Sequence, residues 1–214
     1  KTVIEDAKKK LIAQDKDGVV EIANRVIAAG DSPLELMNSA FIPGINEVGN
    51  LFGRGQMFLP ELMQAADAMK AVTEVINAAL AAGGEKAASP GVIVVATVKG
   101  DVHDIGKCIV VSLMRANGLT VHDLGRDVEC DKIIEEAIKV NADIIGTSAL
   151  LTTTMSEQKK LQEALKSNGM IDKIFTMVGG APVTPRWAAR IGASAYAEDA
   201  QDGVRKAKEL LAQK

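Results

Sequence analysis

The chain has 214 residues, 47% of them hydrophobic, enough to bury a real core and to form one or two compact domains. A formal net charge of -3 argues against a nucleic-acid partner, which usually demands a basic face, and no apolar run approaches the length that spans a bilayer. The stretch Lys1 to Lys10 reads as a charged helix start without a signal-peptide apolar region, so the expected location is cytoplasmic; a start at Lys1 without Met leads us to expect residues before it. Cys108 and Cys130 have neither disulfide-scaffold nor CxxC spacing, which fits a reducing compartment and plain packing roles.

The first eighty or so residues carry helical period and almost no strand signal. After the charged start, Asp17 precedes a periodic run through Val20, Ala23 and Ile27 that stops at Gly30. Ser32-Pro33-Leu34-Glu35 combines a capping Ser with Pro at the first helical position, which predicts a third helix from Pro33. Gly49, Gly53 and Gly55 are expected to break the pattern before Phe58-Leu59-Pro60-Glu61 opens a long helix. On that helix Leu62, Ala65, Ala66, Met69, Val72 and Ile76 share one face. Four helices with short connections predict a small bundle over residues 1–82.

Gly83, Gly84, Ser89 and Pro90 make residues 83–90 a linker, and a second domain is expected over 91–214. Its predicted strands are Val92 to Thr97, Thr120 to Leu124, Ile144 to Ser148, Ile174 to Val178 and Ala195 to Ala197. Helical patterns fill the gaps, from Ile105 to Ala116, Cys130 to Val140, Met155 to Ser167, Pro185 to Ile191 and Ala200 to Leu211. Such alternation predicts an α/β fold with a five-stranded parallel sheet covered on both faces. In a flavodoxin-like, Rossmann-type strand order the first, third and fourth strands are neighbours, and their carboxyl ends line one crevice.

Three motifs fall on that edge. Lys99-Gly100-Asp101-Val102-His103-Asp104-Ile105-Gly106-Lys107 follows the first strand and sets a carboxylate two residues from an imidazole, with a glycine shortly after. A carboxylate that bonds one ring nitrogen fixes the tautomer and presents the other nitrogen to a metal, although a lone loop His beside acids is ordinarily just solvated. Ser148-Ala149-Leu150 ends the third strand and Gly179-Gly180 the fourth. His122 beside Asp123 looks like a metal pair but has no further ligand type near it in sequence, and the runs Lys8-Lys9-Lys10 and Glu135-Glu136 read as solvated helix faces.

With all three motifs in order, the chain resembles the cobalamin-binding family, whose pattern is Asp-x-His-x-x-Gly, Ser-x-Leu about forty residues on, then Gly-Gly. It is most similar to the corrinoid proteins of methylamine and methanol methyltransferase systems and to the two-domain cobalamin-binding portion of methionine synthase. The resemblance implies that His103 is the lower axial ligand of cobalt, that Asp101 accepts its other N–H, and that Ser148 extends this hydrogen-bond chain. That role for Asp101 predicts that Asp101→Asn perturbs methyl transfer more than folding. Asp104, Ile105, Gly106, Leu150, Thr152, Gly179, Gly180 and Tyr196 complete the expected cofactor contacts, the glycines giving room to the nucleotide tail. Phe58, Ala65 and Ala68 are the candidates for an apolar lid supplied by the helical domain.

The implied function is that of a methyl carrier in one-carbon metabolism. It binds cobalamin or a related corrinoid and moves a methyl group from a substrate-specific methyltransferase to an acceptor methyltransferase, with a reductive activase as a further partner and neither nucleic acid nor membrane involved. No separate nucleophile or acid/base constellation stands out, which fits a carrier better than a complete enzyme. A cobalamin-dependent sensor would need a DNA-binding or signalling module. The small subunit of an adenosylcobalamin isomerase would have no use for residues 1–82.

Overall fold

The computed structural model describes residues 2–83 and 91–214, so residues 84–90 of the expected linker lie outside the described residues. The chain divides into two compact units, one helical and one α/β.

In the helical unit, α1 (Thr2–Ile12) and α2 (Lys16–Ala28) are joined by a tight turn. Asp15, rather than Asp17, caps α2: its carboxylate accepts from Gly18 N at 2.9 Å and pairs with Lys10 Nζ at 2.8 Å. Ser32 caps α3 (Pro33–Leu36) by accepting from Glu35 N at 3.2 Å, as its sequence predicts. The chain then runs through one π-helical turn (Met37–Phe41) into α4 (Ile42–Gly53), making one continuous helical stretch. Pro43 sits near the start of α4. It has no N–H to donate, and the wider π turn just before it accommodates a ring that would otherwise clash with a regular α-turn. Gly49, expected to break this helix, is buried inside it. The fourth helical stretch, α5 (Leu59–Ala82), begins where Glu61 reaches back to accept from Phe58 N at 2.8 Å. Leu62, Ala65, Ala66, Met69, Val72 and Ile76 are all buried, as the apolar stripe predicts.

The α/β unit alternates β1 (Val92–Thr97), α6 (Ile105–Ala116), β2 (Thr120–Asp123), α7 (Cys130–Lys139), β3 (Ile144–Ser148), α8 (Met155–Ser167), β4 (Phe175–Gly179), α9 (Pro185–Ile191), β5 (Ala195–Tyr196) and α10 (Ala200–Leu211). All pairings are parallel and the order is β2-β1-β3-β4-β5, the flavodoxin-like order expected. Because strand side chains alternate, Val94, Ala96 and Ile145 face one way and pack on Ile133, Ile134, Leu161 and Leu165 of α7 and α8. Ile93, Val95 and Ile144 face the other way, toward α6 and α10, which meet where Gly203 approaches Val110 and Met114. The register pairs Thr97 with Ser148 and Ser148 with Gly179, so all three motif-bearing loops leave the sheet at one edge. Among the described residues, no helix is long and apolar enough to cross a membrane.

Candidate functional site

The loop after β1 is fastened before any functional side chain is placed. Val98 N donates to Ser148 O at 3.1 Å, and Asp101 N closes a turn onto Val98 O at 3.1 Å through Gly100, whose φ of +80° suits glycine. The loop after β2 grips it from the side: Gly100 N donates to Asp127 Oδ1 at 2.8 Å and Asp127 N to Asp101 O at 3.0 Å. Lys99 adds exposed ion pairs to Asp127 and Glu129. Inside the loop, the Thr97 hydroxyl donates to His103 O at 3.3 Å.

Asp101 is fully buried on that frame. Its Oδ1 accepts from His103 N at 3.1 Å and lies 2.9 Å from His103 Nδ1. Its Oδ2 accepts from Leu150 N at 2.7 Å, Leu151 N at 3.3 Å and the Thr154 hydroxyl at 2.8 Å. Burial alone would raise the carboxyl pKa, but the donors from Leu150, Thr154 and His103 outweigh it and hold the group well below the usual carboxylate range. Asp101 is therefore an anion that only accepts, so Nδ1 of His103 is the nitrogen that donates to it, and Nε2 is the one left for another partner. The His103 side chain is 49% exposed, so that nitrogen belongs to a ring open to approach.

Thr154 departs from expectation in an informative way. Ser148 is not among the partners of Asp101; Thr154, absent from the sequence-based set, takes that place. Thr154 is also the N-cap residue of α8 yet makes no side-chain capping bond, although such a bond is ordinarily worth about 1 kcal/mol. The hydroxyl is turned to the carboxylate instead. A Thr at the start of a helix, one turn after a strand end, is the signal that marked it.

The remaining predicted residues divide. Asp104 opens α6, its carbonyl accepting from Cys108 N at 2.8 Å. Val102, Ile105, Leu150 and Leu151 are exposed, giving His103 an apolar rim from two loops, and Thr152 is exposed next to them. A Cβ on Gly106 would meet nothing within 4 Å, whereas one on Gly180 would lie 1.8 Å from Ala149 O at a φ of +127°. Gly180 is thus required by the protein's own backbone before any ligand is considered. Gly179 is tight in the same sense, 3.3 Å from Ala197 O. Tyr196 is partly buried and packs against the cluster of Val178, Val183 and Ala188. In the helical unit Phe58 is 69% exposed, whereas Ala65 and Ala68 are fully buried and present no open surface of their own.

Asp123 is engaged by Lys107 Nζ at 2.5 Å and by Gly125 N at 2.9 Å, which removes it from any pairing with His122. Burial raises the pKa of Cys130, which packs at the edge of the α7 and α8 core and is therefore a poor thiolate. Gln158, also unanticipated, is buried on α8 and donates to Thr147 O and Gly179 O, both at 3.2 Å, while accepting from Trp187 Nε1. It pins the ends of β3 and β4 at the site's edge. Its signal was a polar residue one turn before Leu161, on a stripe where apolar residues belong.

Among the described residues, no group of three or more His, Cys, Asp or Glu is arranged to hold a metal ion. A single imidazole with an apolar rim instead suits a metal that arrives with its equatorial ligands already in place. Residues 91–205 match a family model described as a B12 binding domain, and residues 3–77 match a second B12 binding domain. The chain belongs to the B12-binding corrinoid proteins. It is 47% identical over 212 residues to dimethylamine corrinoid protein 2 of Methanosarcina acetivorans, covering 96% of this chain and 98% of that one. It is 41% identical to the trimethylamine corrinoid protein of Methanosarcina barkeri, covering 98% and 96%. Among solved structures, the methanol:cobalamin methyltransferase complex of Methanosarcina barkeri matches with a TM-score of 0.83 at 34% identity, over 100% of this chain and 81% of that one. A cobalamin-binding protein of Desulfitobacterium hafniense matches with a TM-score of 0.73 at 30% identity, over 95% and 96%.

Proposed function

We propose that this corrinoid protein carries a methyl group on cobalt between two methyltransferases, with His103 as the protein's ligand to the metal and a methylated amine as the first donor. The observation that carries the reading is the Asp101–His103 pair, in which a buried anion holds the proton on Nδ1 and leaves Nε2 as the ligating nitrogen of a half-exposed ring. When bound, the corrinoid supplies a cobalt centre that can accept and release a methyl group.

Each residue then has a task set by its position. His103 would hold the metal. Asp101 fixes the ring and stabilises a positive charge on it whenever the ring takes up a proton. Val102, Ile105, Leu150 and Leu151, exposed as they stand, would be covered by the bound cofactor and would then keep water from the ring. The open space beside Gly106 would leave room for the cofactor's tail at the first turn of α6, and Asp104, Ser148, Thr152 and Gly179 would be the residues to bond its polar groups. Gly180 and Tyr196 act there through the loop and strand end they shape.

The donor assignment rests on similarity to proteins named for dimethylamine and trimethylamine, and the methanol complex supports a direct partnership with a methyltransferase. An acceptor methyltransferase and a reductive activase are the further partners this cycle requires, in a cytoplasmic setting. The test is an ultraviolet-visible spectrum after incubation with hydroxocobalamin and desalting, with His103→Ala in parallel. Retained corrinoid with a different spectrum in the variant supports the ligand role, and identical spectra reject it. Methyl transfer from dimethylamine, but not methanol, in the presence of the respective methyltransferase supports the donor assignment; the reverse overturns it.

A further inference from the structure

We infer that Arg126, on the loop after β2, is a corrinoid-binding residue whose guanidinium donates to amide carbonyl oxygens on the edge of the corrin ring. The inference rests on the seating of that ring over His103.

Arg126 stands between two residues of left-handed backbone, Gly125 at a φ of +86° and Asp127 at +55°. Glycine takes that conformation freely, whereas an aspartate holds it against steric resistance and only where the surrounding bonds dictate it. Those bonds run to the strand and loop that carry His103. Thr97 N donates to Gly125 O at 2.9 Å, Asp127 N to Asp101 O at 3.0 Å, and Gly100 N to Asp127 Oδ1 at 2.8 Å. The backbone on either side of Arg126 is therefore fastened to the His103 loop, and its side chain leaves from a point held steady relative to the imidazole.

The side chain turns to the same loop. Arg126 is exposed, and its Nη1 lies 3.5 Å from the carbonyl oxygen of Val102, the residue before His103 and part of the apolar rim. A contact of that length on an exposed group holds the guanidinium weakly and leaves most of its N–H donors unused. Its charge is not balanced either. The neighbouring acids Asp127 and Glu129 are engaged by Lys99 and Asp123 by Lys107, and among the described residues no carboxylate pairs with Arg126. A strained loop thus delivers an unneutralised fork of donors to the border of the His103 site.

A corrin ring carries amide side chains around its edge, and in cobalamin a tail with a phosphodiester; both offer oxygen acceptors. Arg126 reaches the rim at Val102, whereas the open space beside Gly106 lies on the far side of His103 along the chain, in the first turn of α6. That placement favours the ring-edge amides over the tail. A cobalt cation by itself would repel the guanidinium, so any attraction must come from those oxygens.

The experiment measures dissociation constants of the cofactor-free protein, by ultrafiltration, for hydroxocobalamin and for diaquocobinamide, which keeps the ring and its amides but lacks the nucleotide tail. Arg126→Ala is expected to weaken both by about tenfold, the lower end for a hydrogen bond to a charged group, and Arg126→Lys to recover part of the loss. Weaker binding of hydroxocobalamin alone would assign the cation to the tail and overturn the inference. Equal constants, or tighter binding through relief of repulsion, overturn it as well. Unchanged corrinoid binding with a weaker hold on the donor methyltransferase would make Arg126 a contact for that protein and is a further refutation. Should Arg126→Ala fail to fold, Arg126→Gln removes the charge and gives the same comparison. His103→Ala, followed in parallel by its visible spectrum, separates the two ideas: a spectrum equal to wild type ends the ligand role of His103, while the binding constants decide the role of Arg126.

Discussion

Every buried residue in the described part of the helical unit is apolar or glycine, from Ala7 and Leu11 through Phe41 and Ile45 to Val72 and Ile76. The α/β unit, by contrast, buries Thr97, Asp101, Lys107, Thr154, Gln158 and Gln162 within its packing. A buried polar group contributes nothing to stability unless it is bonded, and costs about 1–3 kcal/mol when it is not. The helical unit shows that this chain can build a core without such groups. Thr97, Asp101, Thr154 and Gln158 lie at the carboxyl ends of the strands and reflect the demands of a site, where a carboxylate must be held still and a ring aimed, whereas Gln162 bonds Thr176 toward the other ends.

The contrast can be broken from the apolar side first. Phe41→Ala, at a fully buried position, is expected to cost about 3–5 kcal/mol in denaturant unfolding monitored by helix signal. A loss below about 1 kcal/mol would mean that the helical core is loosely packed and that the contrast is weaker than drawn.

A somewhat smaller effect is expected at Lys107, whose buried ammonium pairs with Asp123. Lys107→Met leaves that carboxylate without its cation, and the cost should fall at the low end of about 3–5 kcal/mol because Asp123 keeps the Gly125 N–H and some access to water. The double variant Lys107→Met with Asp123→Leu should recover most of this in thermal melts. If it does not, the pair is needed for geometry and not only for charge balance.

Asp101→Asn comes next, at about 1–3 kcal/mol, since an amide cannot accept at both ends from the donors arrayed around it. Folding is thus expected to suffer as well, while methyl transfer is still expected to be perturbed more. The pH dependence has a definite sign. A carboxyl depressed in the folded state stabilises fully above its unfolded value, and that stability drains away below about pH 4 as the group approaches its folded value. Wild type should therefore show a steeper acid limb of stability than Asp101→Asn, and parallel limbs would remove the carboxylate from its assigned place.

The smallest change sharpens the comparison most. Gly106→Ala adds a methyl group to open space in a helical first turn and should leave stability unchanged or raise it by up to about 1 kcal/mol. Corrinoid retention should nevertheless fall if the cofactor's tail passes there. Undiminished retention would confine the tail to another path.

The helices and strands were legible because each carries its own period and punctuation. Ser32-Pro33, the run Val92 to Thr97 and the stripe on α5 require no knowledge of what they pack against, and neither does the alternation that makes the sheet parallel. Asp101 and His103 were legible as well, being two residues apart on one loop. Pro43 inside a helix was not, because the π turn that tolerates it is a backbone adjustment with no residue code.

Sequence alone determined the elements, their α/β order and the motif that aims an imidazole, since these depend on residues near one another along the chain. Only the tertiary structure decided which hydroxyl meets Asp101, which cation neutralises Asp123 and why Gly180 must lack a side chain. Those pairings join residues 53, 16 and 31 positions apart, as Thr154 with Asp101, Lys107 with Asp123 and Gly180 with Ala149. A carboxylate accepts from whatever donor the folded backbone brings within reach, and no local pattern says which that will be.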